Sequence, residues 1–203
     1  MQITLQNTGK RYNRDWIFRR LSYVFEPGRS YAITGSNGSG KSTLLQVIAG
    51  AILHSEGSLE YRQHEKKIEP DLAFENISIA APYLDLVEEM TATEMLGFHR
   101  GFKTLVKPIT EILEAVSLQN AAHKQIRYYS SGMKQRLKLA QAFFSNTALL
   151  LLDEPTTNLD ADGVALYRKL IHEHTANRLV IVSSNDKMEY DFCSNVVSIM
   201  DYK

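Results

Sequence analysis

The 203-residue chain predicts an α/β fold with a helical insertion, and three observations carry that prediction. Apolar runs at Ser30–Thr34 and 148–152 read as buried strands, because a strand covered on both faces shows no polar alternation. The first run leads through Gly35-Ser36-Asn37-Gly38-Ser39-Gly40-Lys41-Ser42 into a helical stretch, 42–49, that Gly50 stops. From Thr91 to about Phe144 the pattern turns helical, and α/β alternation then returns.

The elements follow in order. Strand-like stretches at 2–6, 17–25 and 58–61 surround the glycine-rich loop, with turn chemistry at Glu26-Pro27-Gly28 and Ser55-Glu56-Gly57. Thr91-Ala92-Thr93-Glu94 has the form of a capping box, and Pro108 suits the first turn of a helix over 109–118. A helix from Met133 to Phe144 precedes the strand at 148–152. A helix near 161–174, a strand at 178–183 and a short strand at 195–200 complete the chain.

Composition narrows the function classes. The 23 basic and 23 acidic side chains cancel, so nothing points to nucleic acid or anionic lipid as the main partner. Arg11, Arg14, Arg19 and Arg20 read as a solvated face. Cys193 is the single cysteine, which excludes an internal disulfide and predicts a reducing compartment. No run of eighteen apolar residues occurs and the chain opens onto a strand-like stretch, so neither a membrane span nor a signal peptide is expected.

The loop at 35–42 carries the first chemistry. Its three glycines let successive N–H groups turn inward toward an anion, and the helix N-terminus at Ser42 and Thr43 adds positive potential. Lys41 supplies a full charge for the β- and γ-phosphates, while Ser42 offers a hydroxyl to Mg²⁺. A nucleoside triphosphate with a divalent metal is the ligand this arrangement fits. The bland alternative is a Gly/Ser-rich turn before a helix, and the Lys-Ser pair at the helix start argues against it.

Two further motifs join it. Ala148-Leu149-Leu150-Leu151-Leu152-Asp153-Glu154 is an apolar strand ending in two carboxylates, at the strand end where ligands gather. Asp153 suits a Mg²⁺ shell and Glu154 suits polarising an attacking water. Tyr129-Ser130-Ser131-Gly132-Met133-Lys134-Gln135-Arg136 opens a helix with a second set of N-terminal donors. Alone, that stretch reads best as an ordinary N-cap. Alongside the first loop, it makes sense as a site for the nucleotide of another copy.

With these residues in place, the chain from about Ile3 to Asp186 resembles the nucleotide-binding domain of ATP-binding-cassette (ABC) transporters. Residues 35–42 match the family's Walker A, 129–133 its signature motif in a Tyr-Ser-Ser-Gly-Met variant, 149–154 Walker B with the catalytic glutamate, and Asn158-Leu159-Asp160 the D-loop. The short length and Tyr-Ser-Ser-Gly-Met-Lys-Gln-Arg lean toward bacterial exporter-type subunits, similar to haem-exporter ATP-binding subunits.

The resemblance implies a single domain over 1–203 of α/β class. It has a P-loop NTPase core of ABC type, an N-terminal antiparallel β-subdomain and an inserted α-helical subdomain at roughly 80–135. It also implies ATP and Mg²⁺ as cofactors and head-to-tail closure of two such domains, with Ser130 and Gly132 facing the partner's γ-phosphate. The chain itself would be cytoplasmic, peripheral on the cytoplasmic face of the cell membrane, with its helical part docked on a separate transmembrane subunit. Tyr12 lies where the family stacks an aromatic on adenine, with Trp16 and Phe18 as nearby competitors. Tyr83, Leu84, Leu86 and Val87 are candidates for the partner surface, or alternatively for the subdomain's own core.

Two departures stand out. Asn185 occupies the place of the family's γ-phosphate histidine; it can donate a hydrogen bond but cannot carry a proton or charge. The usual Q-loop glutamine falls at or next to Pro82, which has no side-chain donor or acceptor. Slow hydrolysis is therefore expected. A transporter ATPase and a soluble ABC-type switch without a transport role both remain open, as does a regulatory cassette, although Lys41, Asp153 and Glu154 count against the last.

Overall fold

The computed structural model describes residues 1–64 and 66–203. β1 (Gln2–Tyr12) and β2 (Asp15–Phe25) form a long antiparallel hairpin, turned at Asn13 in a left-handed conformation that asparagine tolerates. β3 (Ser30–Thr34) leads through the glycine-rich loop to α1 (Lys41–Ile48). β4 (Glu56–Gln63) pairs antiparallel with β1 and with β5 (Lys66–Ile68), giving a four-stranded sheet of order β2-β1-β4-β5. A 3-10 turn at Pro70–Asn76 precedes β6 (Ile77–Ala80).

The helical stretch holds α2 (Ala92–Arg100), α3 (Ile109–Ala115) and α4 (Ser131–Phe143). The Thr91–Glu94 capping box forms as expected, with both reciprocal bonds present. Pro108 is the N-cap of α3 rather than a first-turn residue, and the helix stops at Ala115 instead of 118 as Ser117 turns left-handed. β7 (Leu149–Asp153), α5 (Ala161–His174), β8 (Leu179–Ser183), the short α6 (Lys187–Tyr190), β9 (Asn195–Ser198) and a 3-10 turn over Ile199–Tyr202 follow. The last strand thus ends at 198, not 200.

β6-β7-β8-β3-β9 make a five-stranded, wholly parallel sheet. The alternation of β7 explains its leucine run. Leu150 and Leu152 join the core packed by α2, α3, α4 and α5, whereas Leu149 and Leu151 join the core shared with α1 and the antiparallel sheet. A strand between two cores has no face left for a polar side chain until it reaches Asp153 at its carboxyl end. Among the described residues no helix is long and apolar enough to cross a membrane.

Candidate nucleotide site

The glycine-rich loop sits between β3 and α1, at the carboxyl edge of the parallel sheet. Two of its glycines are sterically obligatory. Gly35 has φ 150°, and a Cβ there would lie 2.7 Å from both Ile199 Cγ2 and Ser39 Oγ. Gly40 has φ 97°, and a Cβ would meet Ile17 Cγ2 at 2.2 Å. Both positive-φ conformations expose backbone that side chains would otherwise cover. Lys41 is buried and its Nζ donates to the carbonyls of Gly35 (3.0 Å) and Ser36 (3.3 Å), folding the cation over the loop.

Asp153 and Glu154 stand at the end of β7. Asp153 is 1% exposed, and its Oδ1 has no hydrogen-bond partner among the described residues. Burial pushes its carboxyl above the usual carboxylate range; the Ser183 and Ser42 hydroxyls and the Lys41 charge oppose that shift without cancelling it. An orphaned carboxylate oxygen beside a serine hydroxyl is an oxygen-donor pair that suits a small divalent cation. Glu154 takes a left-handed φ of 42°, held by its own N–H donating to the Ser183 carbonyl (2.9 Å). Strained backbone at a half-buried carboxylate beside an anion loop is the kind of conformation that functional sites retain.

The segment after Glu154 is pinned from two sides. Gln135 of α4 donates Nε2 to the Pro155 carbonyl at 2.8 Å, and the buried Glu189 of α6 accepts from the backbone N–H and hydroxyl of Thr156. Neither residue was predicted from sequence. A buried glutamate near a helix start leaves no local pattern, because its partner is 33 residues away.

Ser130 is exposed and caps α4, its hydroxyl accepting from the Met133 N–H at 3.2 Å. The ordinary N-cap reading is therefore true of Ser130, and the turn still presents its helix start to solvent. Gly132 lies so close to the D-loop segment that a Cβ would come within 3.0 Å of the Asn158 carbonyl. Asp160 caps α5, accepting from the Gly163 N–H (2.8 Å) and from Arg136 (3.0 Å). Those bonds, the Gly163 N–H first, hold its carboxyl below the usual range.

The aromatic candidates separate. Phe18 is fully buried in the core and leaves the list; Trp16 is covered by Arg19 at 4.3 Å and Arg11 at 5.5 Å. Tyr12, 48% exposed at the end of β1, keeps accessible ring surface, with Lys10 at 4.9 Å from its centroid. Asn185 reaches the glycine-rich loop directly, donating from Nδ2 to Asn37 Oδ1 at 2.8 Å.

Pro82 offers no side-chain contact, but its neighbour does. Ala80 pairs with Leu152, so the chain leaves β6 beside Asp153. Although the Tyr83 ring is partly exposed, its hydroxyl is pushed up to about 12 by burial and by the Asp153 charge, with Gln46 opposing the shift. Gln46 stands one helical turn after Ser42, on the same face of α1. Of the four partner-surface candidates, Tyr83, Leu84 and Val87 are exposed while Leu86 belongs to the helical core.

Comparison with known proteins fits this geometry. The family profile described as ABC transporter matches residues 18–157. The chain is 30% identical over 203 residues to YybJ of Bacillus subtilis, named an uncharacterized ABC transporter ATP-binding protein, covering 98% of this chain and 89% of YybJ. It is 30% identical to the cytochrome c biogenesis ATP-binding export protein CcmA of Rhizobium etli, over 91% of this chain and 87% of CcmA. A putative ABC transporter ATP-binding protein from Pyrococcus furiosus superposes with TM-score 0.83 at 19% identity, covering 100% of both chains. A dimeric ATP-binding cassette in a post-hydrolysis state with ADP and Pi superposes with TM-score 0.80 at 22% identity, over 97% of this chain and 93% of that one. The protein belongs to the ABC transporter family. Within it, the chain is an ATP-binding domain of ATPase type.

Proposed function

We propose that this chain is the ATP-hydrolysing subunit of an ABC transporter, driving a separate membrane-spanning partner from the cytoplasmic face by closing head-to-tail on a second copy. One observation carries the reading: a single chain presents two helix N-termini suited to anions, and the second of them, at Ser130 and Ser131, is exposed. The loop at Gly35–Ser42 serves its own nucleotide, and the Ser130–Gly132 turn serves the nucleotide of the other copy. The name of the relative CcmA as an ATP-binding export protein supports the transport role.

In this reading the loop N–H groups and Lys41 hold the β- and γ-phosphates, and Tyr12 lies flat against the base. Ser42 and Asp153 would hold Mg²⁺, which when bound would spread the charge of the phosphates. Glu154 accepts a proton from the attacking water, and Asn185 keeps an amide N–H at the loop next to the γ-phosphate position. The helical part, roughly 80–135, presents the exposed Val87 and, lining an apolar cavity of 260 Å³ together with Ile77, Ile79 and Phe74, the residues Tyr83 and Leu84. A membrane-subunit helix with an apolar face fits that surface.

Substituting Glu154→Gln tests the proposal. Turnover should fall by a factor of about 10² or more, while ATP should now hold the variant as a dimer in light scattering. A variant that still hydrolyses ATP and stays monomeric at high concentration would overturn it.

A further inference from the structure

The 3-10 turn at Ile199–Tyr202 and the lysine after it lie beneath the glycine-rich loop and hold it at three points. Ile199 fills the space left by the missing side chain of Gly35 and lies in van der Waals contact with the Cβ position of Gly40, which Ile17 fills. The Ser36 hydroxyl lies 3.9 Å from Met200 Sδ. Lys203 Nζ donates to the Ser39 carbonyl at 2.6 Å and to the Ile17 carbonyl of β2 at 2.8 Å.

The Ser39 contact has a consequence for the anion site. The Ser39–Gly40 peptide is planar and trans, so its N–H points opposite to its C=O. An ammonium that anchors the carbonyl on the outer side of the loop therefore sets the Gly40 N–H toward the inner side, where phosphate oxygens would lie. Gly40, with φ 97° and no Cβ, has little intrinsic preference against a flipped peptide. Something outside the loop must choose the orientation, and Lys203 is the group in contact with it. Its bond to Ile17 ties the same ammonium to β2, a strand of the antiparallel sheet outside the loop. Ser39 is buried while Lys203 is exposed, so the cation approaches from solvent without a carboxylate bonded to it among the described residues.

We infer that Lys203 is a positioning residue for nucleotide binding: it fixes the Ser39–Gly40 peptide with its N–H turned toward the phosphates. This rests on the reading that residues 35–42 hold the triphosphate. The probe is Mg²⁺-ADP, titrated calorimetrically against the full chain and its Lys203→Met, Lys203→Arg and Lys41→Ala variants. Amide exchange over 36–42 is followed without nucleotide, and thermal unfolding confirms that each variant is folded.

Lys203→Met keeps the length and apolar stem of the side chain but not its donor. It should bind about tenfold more weakly and exchange faster over 36–42, and Lys203→Arg should restore both. Lys203→Met affinity and exchange equal to those of the unaltered chain, with Lys41→Ala binding lost, would overturn the role of Lys203 alone. Binding unchanged in Lys41→Ala would instead overturn the phosphate-loop reading and the inference with it.

Discussion

Substituting Asp153→Asn should stabilise the nucleotide-free protein while weakening its response to Mg²⁺. Asp153 is buried, its Oδ1 has no partner among the described residues, and the neighbouring Ser183 Oγ has none either. A buried polar group left without a hydrogen bond costs about 1–3 kcal/mol, more if charged. The asparagine removes the charge and brings an N–H that can donate to Ser183 Oγ, so a gain of roughly 2 kcal/mol is expected. For a chain of this length each kcal/mol moves the midpoint by about 2–4 °C, which gives a rise of about 4–8 °C.

The pH dependence has a fixed sign. Because burial raises the native pKa of Asp153 above 3.8, the folded protein binds more protons than the unfolded chain in that window, and stability falls as pH rises through it. The unaltered protein should match the variant in acid and fall below it toward neutrality. Calorimetric scans from acid to neutral pH, with and without Mg²⁺-ADP, measure both effects. Added Mg²⁺-ADP should raise the midpoint of the unaltered protein more than that of the variant. A variant less stable than the unaltered protein at neutral pH, or a gap independent of pH, would refute the picture of a carboxylate held unpaired for a cation.

Other outcomes follow from the same geometry. Lys41→Ala should lose a cation that folds over the loop, with a charge-assisted contact of about 1.5–3 kcal/mol, and calorimetry should show nucleotide affinity down by at least tenfold. Asn185→Ala should lower turnover by about tenfold, less than the ~10²–10³ lost with a dedicated transition-state donor, because its amide is shared with Asn37. Asn185→His should raise the rate or leave it unchanged. Arg178, pushed down to about 10 by burial, donates to Ser78 Oγ (2.8 Å), Thr147 Oγ1 (2.7 Å) and the Phe143 carbonyl (3.1 Å). Arg178→Met should therefore lower the thermal midpoint by about 3–10 °C with nucleotide affinity little changed.

The parts legible in the sequence are those whose partners are close in the chain. The strand-loop-helix around Lys41, the leucine run into Asp153 and the Thr91–Glu94 cap each carry their own pattern, and each formed. β6 escaped notice because Ile77-Ser78-Ile79-Ala80 is four residues long, and only its position beside β7 makes it a sheet strand. The hairpin strands run longer than their apolar alternation suggests. Shifts in register along β1 interrupt the pattern at Gln6–Thr8 while pairing continues to Tyr12. Leu86 and Val87 could not be told apart by type; packing against α4 and its neighbours buries one and leaves the other exposed. Glu189 and Lys203 reach the site from remote segments, so nothing around them in sequence announces a role, while Gln135 was visible only as part of the motif before α4 and not as a contact to Pro155. For Pro82, the lost side-chain contact was legible, but the neighbouring tyrosine hydroxyl near Asp153 was not.

Head-to-tail closure is the central claim, and a cysteine pair tests it most directly. Ser36 and Ser131 are both exposed, one on the glycine-rich loop and one at the start of α4. In a Cys193→Ser, Glu154→Gln background, Ser36→Cys and Ser131→Cys together should form an intermolecular disulfide when Mg²⁺-ATP is added, and neither substitution alone should do so. A disulfide that forms equally without nucleotide, or one that joins two copies of the same substituted residue, would contradict the arrangement in which each nucleotide is gripped by both chains.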